Sequence, residues 1–383
     1  MTRTPACTAL AAALALAAAP VLAFETKGST ALAVDHATGL ALYAKNADAP
    51  LPPASMSKLM TLYMLFEAIR DGEVDLDTEF TISPKAQAMG GSRMFLEAGK
   101  TVPVADLIRG IVVQSGNDAC VVVAEGLYGD ETAFAKAMTE RAHELGMDET
   151  TLKNASGWPE PGHVMSAEDL VILSRRIIED FPEHYALFDE TEYTWNGITQ
   201  QNRNPLLSAG VGADGLKTGH TSEAGYGLTG SAVQNGQRIV FVLSGLGSAA
   251  ERAAESAALV KWAFGAFETV RFFDAGEVVT EAEVWLGAAD RVPLVAPRAL
   301  QMLLPKGTRD GIEARVVYAG PIEAPIAAGQ RLGELVVEAS GIEPVSFDLA
   351  AGADVPRGGL GVRIGAAGQV ALDQALGFLP GRD

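Results

Sequence analysis

Residues 52 to 65 read "PPASMSKLMTLYML", an almost wholly apolar stretch with two serines and a lysine in its first turn. Pro52 and Pro53 stop any earlier helix, Ser55 suits a cap or first-turn position, and apolar residues follow until Arg70-Asp71-Gly72 ends the run. A helix apolar nearly all round is a central one. Its N-terminus must then open onto something polar, because a lysine sealed in an apolar core is costly. Ser55 and Lys58 share a helix face, with free backbone amides and the positive end of the helix dipole beside them. A neutral lysine there can take the serine proton. Its reference pKa near 10.4 must fall by roughly 3 units for that, through desolvation or a second cation. Taken alone, the spacing favours a capping serine and a surface lysine.

Two further clusters change that balance. "QSGNDA" supplies Ser115, a hydroxyl able to pass a proton, then Gly116, then Asn117, an amide able to hold a peptide carbonyl. "LKTGHT" supplies Lys217 and Thr218, a cation and a hydroxyl for a carboxylate, and Gly219, which lets a substrate backbone lie along an edge strand. Lys217 is also a candidate for the second cation that keeps Lys58 neutral. Each triplet alone reads as a turn or strand end; the three in this order point to a site.

The surroundings fit an exported globular protein. At 383 residues the chain exceeds one ordinary core and predicts two domains. Residues 1–23 carry Arg3, an apolar run from Ala9 to Ala18, and Val21 and Ala23 at the small positions before a cut, so they read as a secretory signal. The run is shorter than the roughly 20 residues of a spanning helix. Cys7 leaves with it, and Cys120 remains alone as a small buried hydrophobe with no disulfide to form. The formal charge is −19, which disfavours nucleic acid and anionic lipid as main partners and requires a local cationic pocket for any anionic substrate. His36, His143, His163, His184 and His220 show no paired ligand spacing, so neither a metal nor another cofactor is expected.

The pattern along the chain predicts an α+β architecture. Two short strands flank "ATG" between residues 24 and 46, and helical signals dominate to about 190, including a run through "VADLIRGIVVQSGNDACVVVAEGLYG". Ser166 and Asp169 have the spacing of a capping box, which makes Asp169 a helix-start residue. A hairpin around Asn235-Gly236 and a helix ending near 268 follow. The expected division is a first domain of helices on an antiparallel sheet over 24–268, a small all-β domain over 269–352, and a tail over 353–383 with weak helical spacing.

SxxK, SxN and KTG in this order resemble the serine penicillin-binding proteins and β-lactamases. "VDHATGLALYAKNADAPLPPASMSKLMT", "SRMFLEAG", "SGNDA", "QNRNPLL" and "DGLKTGHT" resemble more closely the D-alanyl-D-alanine carboxypeptidases related to penicillin-binding protein 5. The likeness runs from about 28 to 270, and the β-rich region after it is similar to that family's second domain. It implies a penicillin-binding transpeptidase-like fold. It further implies Ser55 as acylated nucleophile, Lys58 as general base, Ser115 and Asn117 as relay and substrate holder, and Lys217 as electrostatic partner. Thr218 and Gly219 would line the substrate strand, the amides of Ser55 and His220 would form an oxyanion hole, and Arg203 and Arg252 would face the substrate carboxylate. Its implied partners are peptidoglycan stem peptides and β-lactam antibiotics, in the periplasm. The tail is poorer in basic residues than the family's anchors, which leaves peripheral contact with the inner membrane open.

Two alternatives remain. "ETTLKN", from Glu149 to Asn154, nearly matches the ExxLN loop of class A β-lactamases but has one residue too many, and those enzymes have a single domain. A non-catalytic murein-binding protein keeping the fold is the other.

Overall fold

The computed structural model describes residues 24–339 and 341–360. The expected signal segment, Cys7 and residues 361–383 of the tail lie outside the described residues.

Strand alternation builds two cores from one sheet. β1 (Thr30–Asp35) and β2 (Ala41–Lys45) form the expected hairpin, and the chain returns to their sheet only at residue 213. Between them and that return come α1 (Lys58–Arg70), β3 (Glu79–Thr81), α2 (Pro84–Ala88), β4 (Thr101–Pro103), α3 (Val104–Val112), α4 (Asn117–Tyr128), α5 (Glu131–Glu144), α6 (Ala167–Asp180) and α7 (Pro182–Tyr185). A small hairpin of β5 (Glu192–Trp195) and β6 (Ile198–Gln201) leads to β7 (Ala213–Thr221), β8 (Gly225–Gln234), β9 (Gln237–Leu246) and α8 (Ala249–Ala266). The five long strands join antiparallel in the order β2-β1-β9-β8-β7, which leaves β7 at an edge. Successive side chains of a strand face opposite ways. Leu32, Val34, Val240 and Val242 therefore pack toward α1, α4 and α6, while Ala31, Ala33, Ile239 and Phe241 pack toward Leu259, Val260 and Ala263 of α8.

α1 is the central helix its composition predicts: every residue from Lys58 to Phe66 is buried. Ser55 itself sits in a 3-10 turn, Ala54–Ser57, that precedes α1. Asp169 starts a helix as expected, since Ser166 Oγ accepts its N–H at 3.0 Å. Its carboxylate does not reach back along the helix, however; Oδ2 accepts from Thr150 Oγ1 at 2.7 Å.

Three features depart from the sequence reading. The helical run predicted through residues 104–129 is broken: Ser115 takes a left-handed φ of 59° and Gly116 caps α4. β3 and β4 pair within the region expected to be helical. The β5–β6 hairpin turns on Asn196-Gly197, with φ of 48° and 77°, the same dipeptide that marks the β8–β9 turn.

Past α8 every strand belongs to a β-rich unit. β10 (Phe267–Phe273) pairs with β13 (Leu300–Pro305). β11 (Val278–Trp285), β12 (Arg291–Val295), β14 (Glu313–Tyr318), β15 (Ile322–Glu323), β16 (Arg331–Ala339) and β17 (Ile342–Ala351) form a sheet in the order β14-β16-β17-β12-β11-β15. Val270, Leu294, Met302, Leu335 and Phe347 belong to its separate core. The buried Asp35 at the end of β1 ties the two parts together by accepting the Leu303 N–H at 3.3 Å. Among the described residues no helix is long and apolar enough to cross a membrane.

Candidate active site

The turn that carries Ser55 packs directly on the edge strand, and two glycines make the fit. A Cβ on Gly219 would lie 2.9 Å from Pro53 O and 3.2 Å from Ala54 Cβ. Gly157, at φ +74°, would bring a Cβ to 1.9 Å from Ala54 O. Gly219 thus serves the seating of the Ser55 turn on β7, a role in packing that its sequence reading as a substrate-strand glycine missed. Ala54 is itself left-handed at φ 49°, so non-glycine residues in this costly region stand at both Ala54 and Ser115.

Lys58 is completely buried, and its ammonium meets three acceptors. Nζ donates to Ser55 Oγ at 2.8 Å, to Asn117 Oδ1 at 2.7 Å and, in a very short contact, to Ser156 O. Two of these are carbonyls, which only accept. A neutral amine therefore spends its two N–H groups on Asn117 and Ser156 and turns its lone pair toward Ser55. Burial pulls the Lys58 pKa from 10.5 down to about 8; among the charges, Arg203 adds to the fall and Asp118 opposes it. Cys120 also faces Lys58, but burial pushes its thiol up to about 12 and keeps it neutral. Cys120, the one cysteine among the described residues, is thus the inert buried residue its setting predicts.

The second lysine sits behind the next hydroxyl. Lys217 Nζ donates to Ser115 Oγ at 2.9 Å, and burial, then Lys58, then Arg203 hold it well below the ordinary lysine pKa. The structure thus joins Ser115 to Lys217. Asn117 is clamped: Nδ2 donates to Gly90 O at 2.8 Å, its N–H donates to Ser92 O at 2.8 Å, and one amide hydrogen remains for the cleft.

Ser55, Ser115, Asn117, Thr218, Gly219, His220, Arg203 and Arg252 all line one open cleft of about 830 Å³, with Lys58 and Lys217 buried behind its floor. All ten residues singled out in the sequence therefore meet at one place. Arg203 Nε donates to Gln114 O and Arg252 Nη2 to Arg203 O, both at 3.4 Å, while His220 stacks on Tyr226 with centroids 3.9 Å apart. Glu149 is exposed and lines no part of the cleft.

Sequence reasoning missed the wall opposite β7. Asn154 folds that loop: its Oδ1 accepts the N–H groups of Ser156 and Trp158 at 3.2 and 3.0 Å, and so aims Ser156 O at Lys58. Asp118, 1% exposed, holds the 92–96 segment by accepting from the amides of Met94 and Leu96 at 2.9 and 3.1 Å. An acid inside an apolar helix was the available signal for Asp118. The wall loop offered none, because its key group is a backbone carbonyl.

Comparisons with known proteins identify the family and the fold. Residues 15–246 match the family described as D-alanyl-D-alanine carboxypeptidase, and residues 267–357 match the penicillin-binding protein 5 C-terminal domain. The chain belongs to the D-alanyl-D-alanine carboxypeptidase family. It is 40% identical over 310 residues to D-alanyl-D-alanine carboxypeptidase DacD of Escherichia coli K12, covering 79% of this chain and 80% of that one. The structure of penicillin-binding protein 5 from Haemophilus influenzae is similar with a TM-score of 0.77 at 34% identity, over 88% of this chain and 99% of that one. Penicillin-binding protein D2 from Listeria monocytogenes, solved in an ampicillin-bound form, is similar with a TM-score of 0.58 at 32% identity, over 62% and 98% of the two chains.

Proposed function

We propose that this chain is an exported serine D-alanyl-D-alanine carboxypeptidase that trims peptidoglycan stem pentapeptides in the periplasm. The observation that carries the reading is the 2.8 Å contact between Lys58 Nζ and Ser55 Oγ at the floor of a cleft with cationic walls. Neutral Lys58 takes the Ser55 proton as Oγ attacks the carbonyl carbon between the two terminal D-alanines. The backbone amides of Ser55 and His220 receive the developing oxyanion, where one such donor is worth about 3 to 4 kcal/mol of barrier. The proton passes to the departing amine, through Ser115 and the Lys58 ammonium, and the last D-alanine leaves. Water then attacks the Ser55 ester with Lys58 again taking a proton, which restores the hydroxyl and frees the shortened peptide.

Arg203, Arg252, Lys217 and Thr218 supply the charge and hydroxyl that hold the terminal carboxylate. Arg252 is half-buried over the Tyr226 ring, 5.8 Å from its centroid, which fixes its direction. The free amide hydrogen of Asn117 holds the carbonyl of the preceding peptide unit. A β-lactam ring presents the same carbonyl and carboxylate, so penicillins acylate Ser55. In this reading the catalytic part spans 24–268 and the β-rich part 269–352.

The test is release of D-alanine from a stem pentapeptide by the mature chain and by Ser55→Ala, with and without an amine acceptor. The reading expects release by the parent only. Equal release by both proteins would refute it.

A further inference from the structure

The wall loop reaches Lys58 through one carbonyl, and two residues that fix this carbonyl lie outside the cleft. Ser156 O accepts from Lys58 Nζ. The residue before it is gripped at both of its backbone polar groups: the Ala155 N–H donates to Glu131 Oε1 at 3.1 Å, and Ala155 O accepts from Thr61 Oγ1 at 2.6 Å. Neither Glu131 nor Thr61 lines the cleft.

Thr61 stands one turn after Lys58 on α1, so the two side chains share a helix face and take successive carbonyls of the loop. It is completely buried. A threonine inside a helix commonly turns its hydroxyl back on the carbonyl one turn earlier, whereas this one leaves its helix for Ala155.

Glu131 is the less expected of the two. It is 9% exposed at the start of α5, and a carboxylate so placed costs folding energy unless its oxygens are paired. Lys85 Nζ lies 2.7 Å from Oε2, which leaves Oε1 for the Ala155 amide. Nor does α5 need Glu131 as a cap, since Asp130 Oδ1 already accepts from the Thr132 and Ala133 amides at 2.8 and 2.9 Å. The carboxylate thus ties α5 and the Lys85 helix to the loop.

We infer that Glu131 and Thr61 are positioning residues for the general base: by gripping Ala155 they keep Ser156 O on Lys58, and so keep the lone pair of the neutral amine on Ser55. The inference rests on the proposed reading of Lys58 as the base for Ser55. Displacing Ser156 O has two effects. An acceptor favours the ammonium over the amine, so its loss lowers the pH at which Lys58 gives up its proton. The amine is also freed to turn, which slows the reaction even where Lys58 is neutral.

Stopped-flow acylation by a penicillin from pH 6 to 10 tests this on the parent, Glu131→Ala, Glu131→Gln, Thr61→Val and Thr61→Ser. Lys217, Arg203 and Asp118, the charged groups that face Lys58, are the same in all five. Rate constants are read, so a smaller folded fraction changes only the amplitude. Glu131→Ala and Thr61→Val are each expected to lower the plateau rate roughly tenfold. Each should also move the midpoint down from about 8 by roughly 0.5 to 1 pH unit, the loss of one hydrogen bond to a charged group. Glu131→Gln keeps the acceptor and Thr61→Ser the donor, so both should stay within about twofold of the parent with the midpoint in place. Should Glu131→Ala fail to fold, the Thr61 pair carries the test. An unmoved or raised midpoint in Glu131→Ala or Thr61→Val would overturn the role of that residue. The same fall in Glu131→Gln as in Glu131→Ala would overturn the grip, because lost charge alone would then account for it. In these cases acylation of the parent leaves the proposed activity standing; a parent that is not acylated, or whose rate does not rise with pH, would overturn both.

Discussion

Lys58 Nζ lies 2.8 Å from Ser55 Oγ while its other two hydrogen-bond directions are occupied by the carbonyls of Asn117 and Ser156. The arrangement lets only one contact change character when the amine loses its proton. The two carbonyls keep their N–H donors, and the lone pair faces the serine.

Rate should therefore follow the protonation of Lys58. Its pKa of about 8 lies below the ordinary 10.5, so the base is mostly charged at pH 7 and mostly neutral at pH 9. Acylation of Ser55 by a penicillin is expected to rise with pH through about 8 and level off above it. A stopped-flow profile that is flat or falls from pH 7 to 9 would count against a lysine base. The sign for stability follows from the same shift. The unfolded chain binds the extra proton between pH 8 and 10.5, so this group makes folding more favourable as pH rises across that window.

Replacing the base should separate chemistry from binding. Lys58→Ala is expected to lower the acylation rate constant by roughly 10²- to 10⁴-fold, the usual share of a positioned acid-base group. Arg203→Ala should act mainly on KM for the peptide, since it holds a carboxylate that is present before and during the reaction. Steady-state kinetics on both variants checks the contrast; a matching loss of kcat in Arg203→Ala would place that arginine in the chemical step.

Gly157 should tolerate no side chain. Its φ is left-handed, and a Cβ would overlap Ala54 O at 1.9 Å, with Ser57 Oγ only 2.6 Å away. Gly157→Ala is expected to destabilise the fold by about 2 kcal/mol or more, read by urea unfolding, and to slow acylation by shifting the Ser55 turn. Near-parental stability together with parental acylation would show that the turn is not held from this side.

The 92–96 segment should depend on Asp118. Its two oxygens take the Met94 and Leu96 amides inside the protein, and hydrogen bonds to a charged group are worth about 1.5 to 3 kcal/mol each. Asp118→Ala should lose several kcal/mol and speed hydrogen exchange at these two amides. Unchanged exchange there would mean that the segment is held by other contacts.

Much of this site was legible in the sequence because its groups are side chains with distinctive spacing. Ser55 with Lys58, Ser115 with Asn117, and Lys217 with Thr218 each announce a local arrangement, and their order suggested that they meet. The β8–β9 hairpin was visible through Asn235-Gly236. The same dipeptide at 196–197 went unread because its strands are only four residues long: β5 alternates, with Tyr193 and Trp195 packed toward the core, but over too few residues to signal a strand, and β6 does not alternate. The break at Ser115 was marked by the polar stretch Gln114 to Asp118, which the helical reading ran through because apolar runs flank it on both sides. The loop at Ser156 was hidden for another reason: it acts through its backbone, and a carbonyl leaves no mark in a sequence.

The most direct test of the account is to locate the covalent adduct. The mature chain is incubated with a fluorescent penicillin, digested, and mapped by mass spectrometry. The account predicts one labelled peptide modified at Ser55 and no label in Ser55→Ala; label on another residue, or undiminished label in the variant, would contradict it.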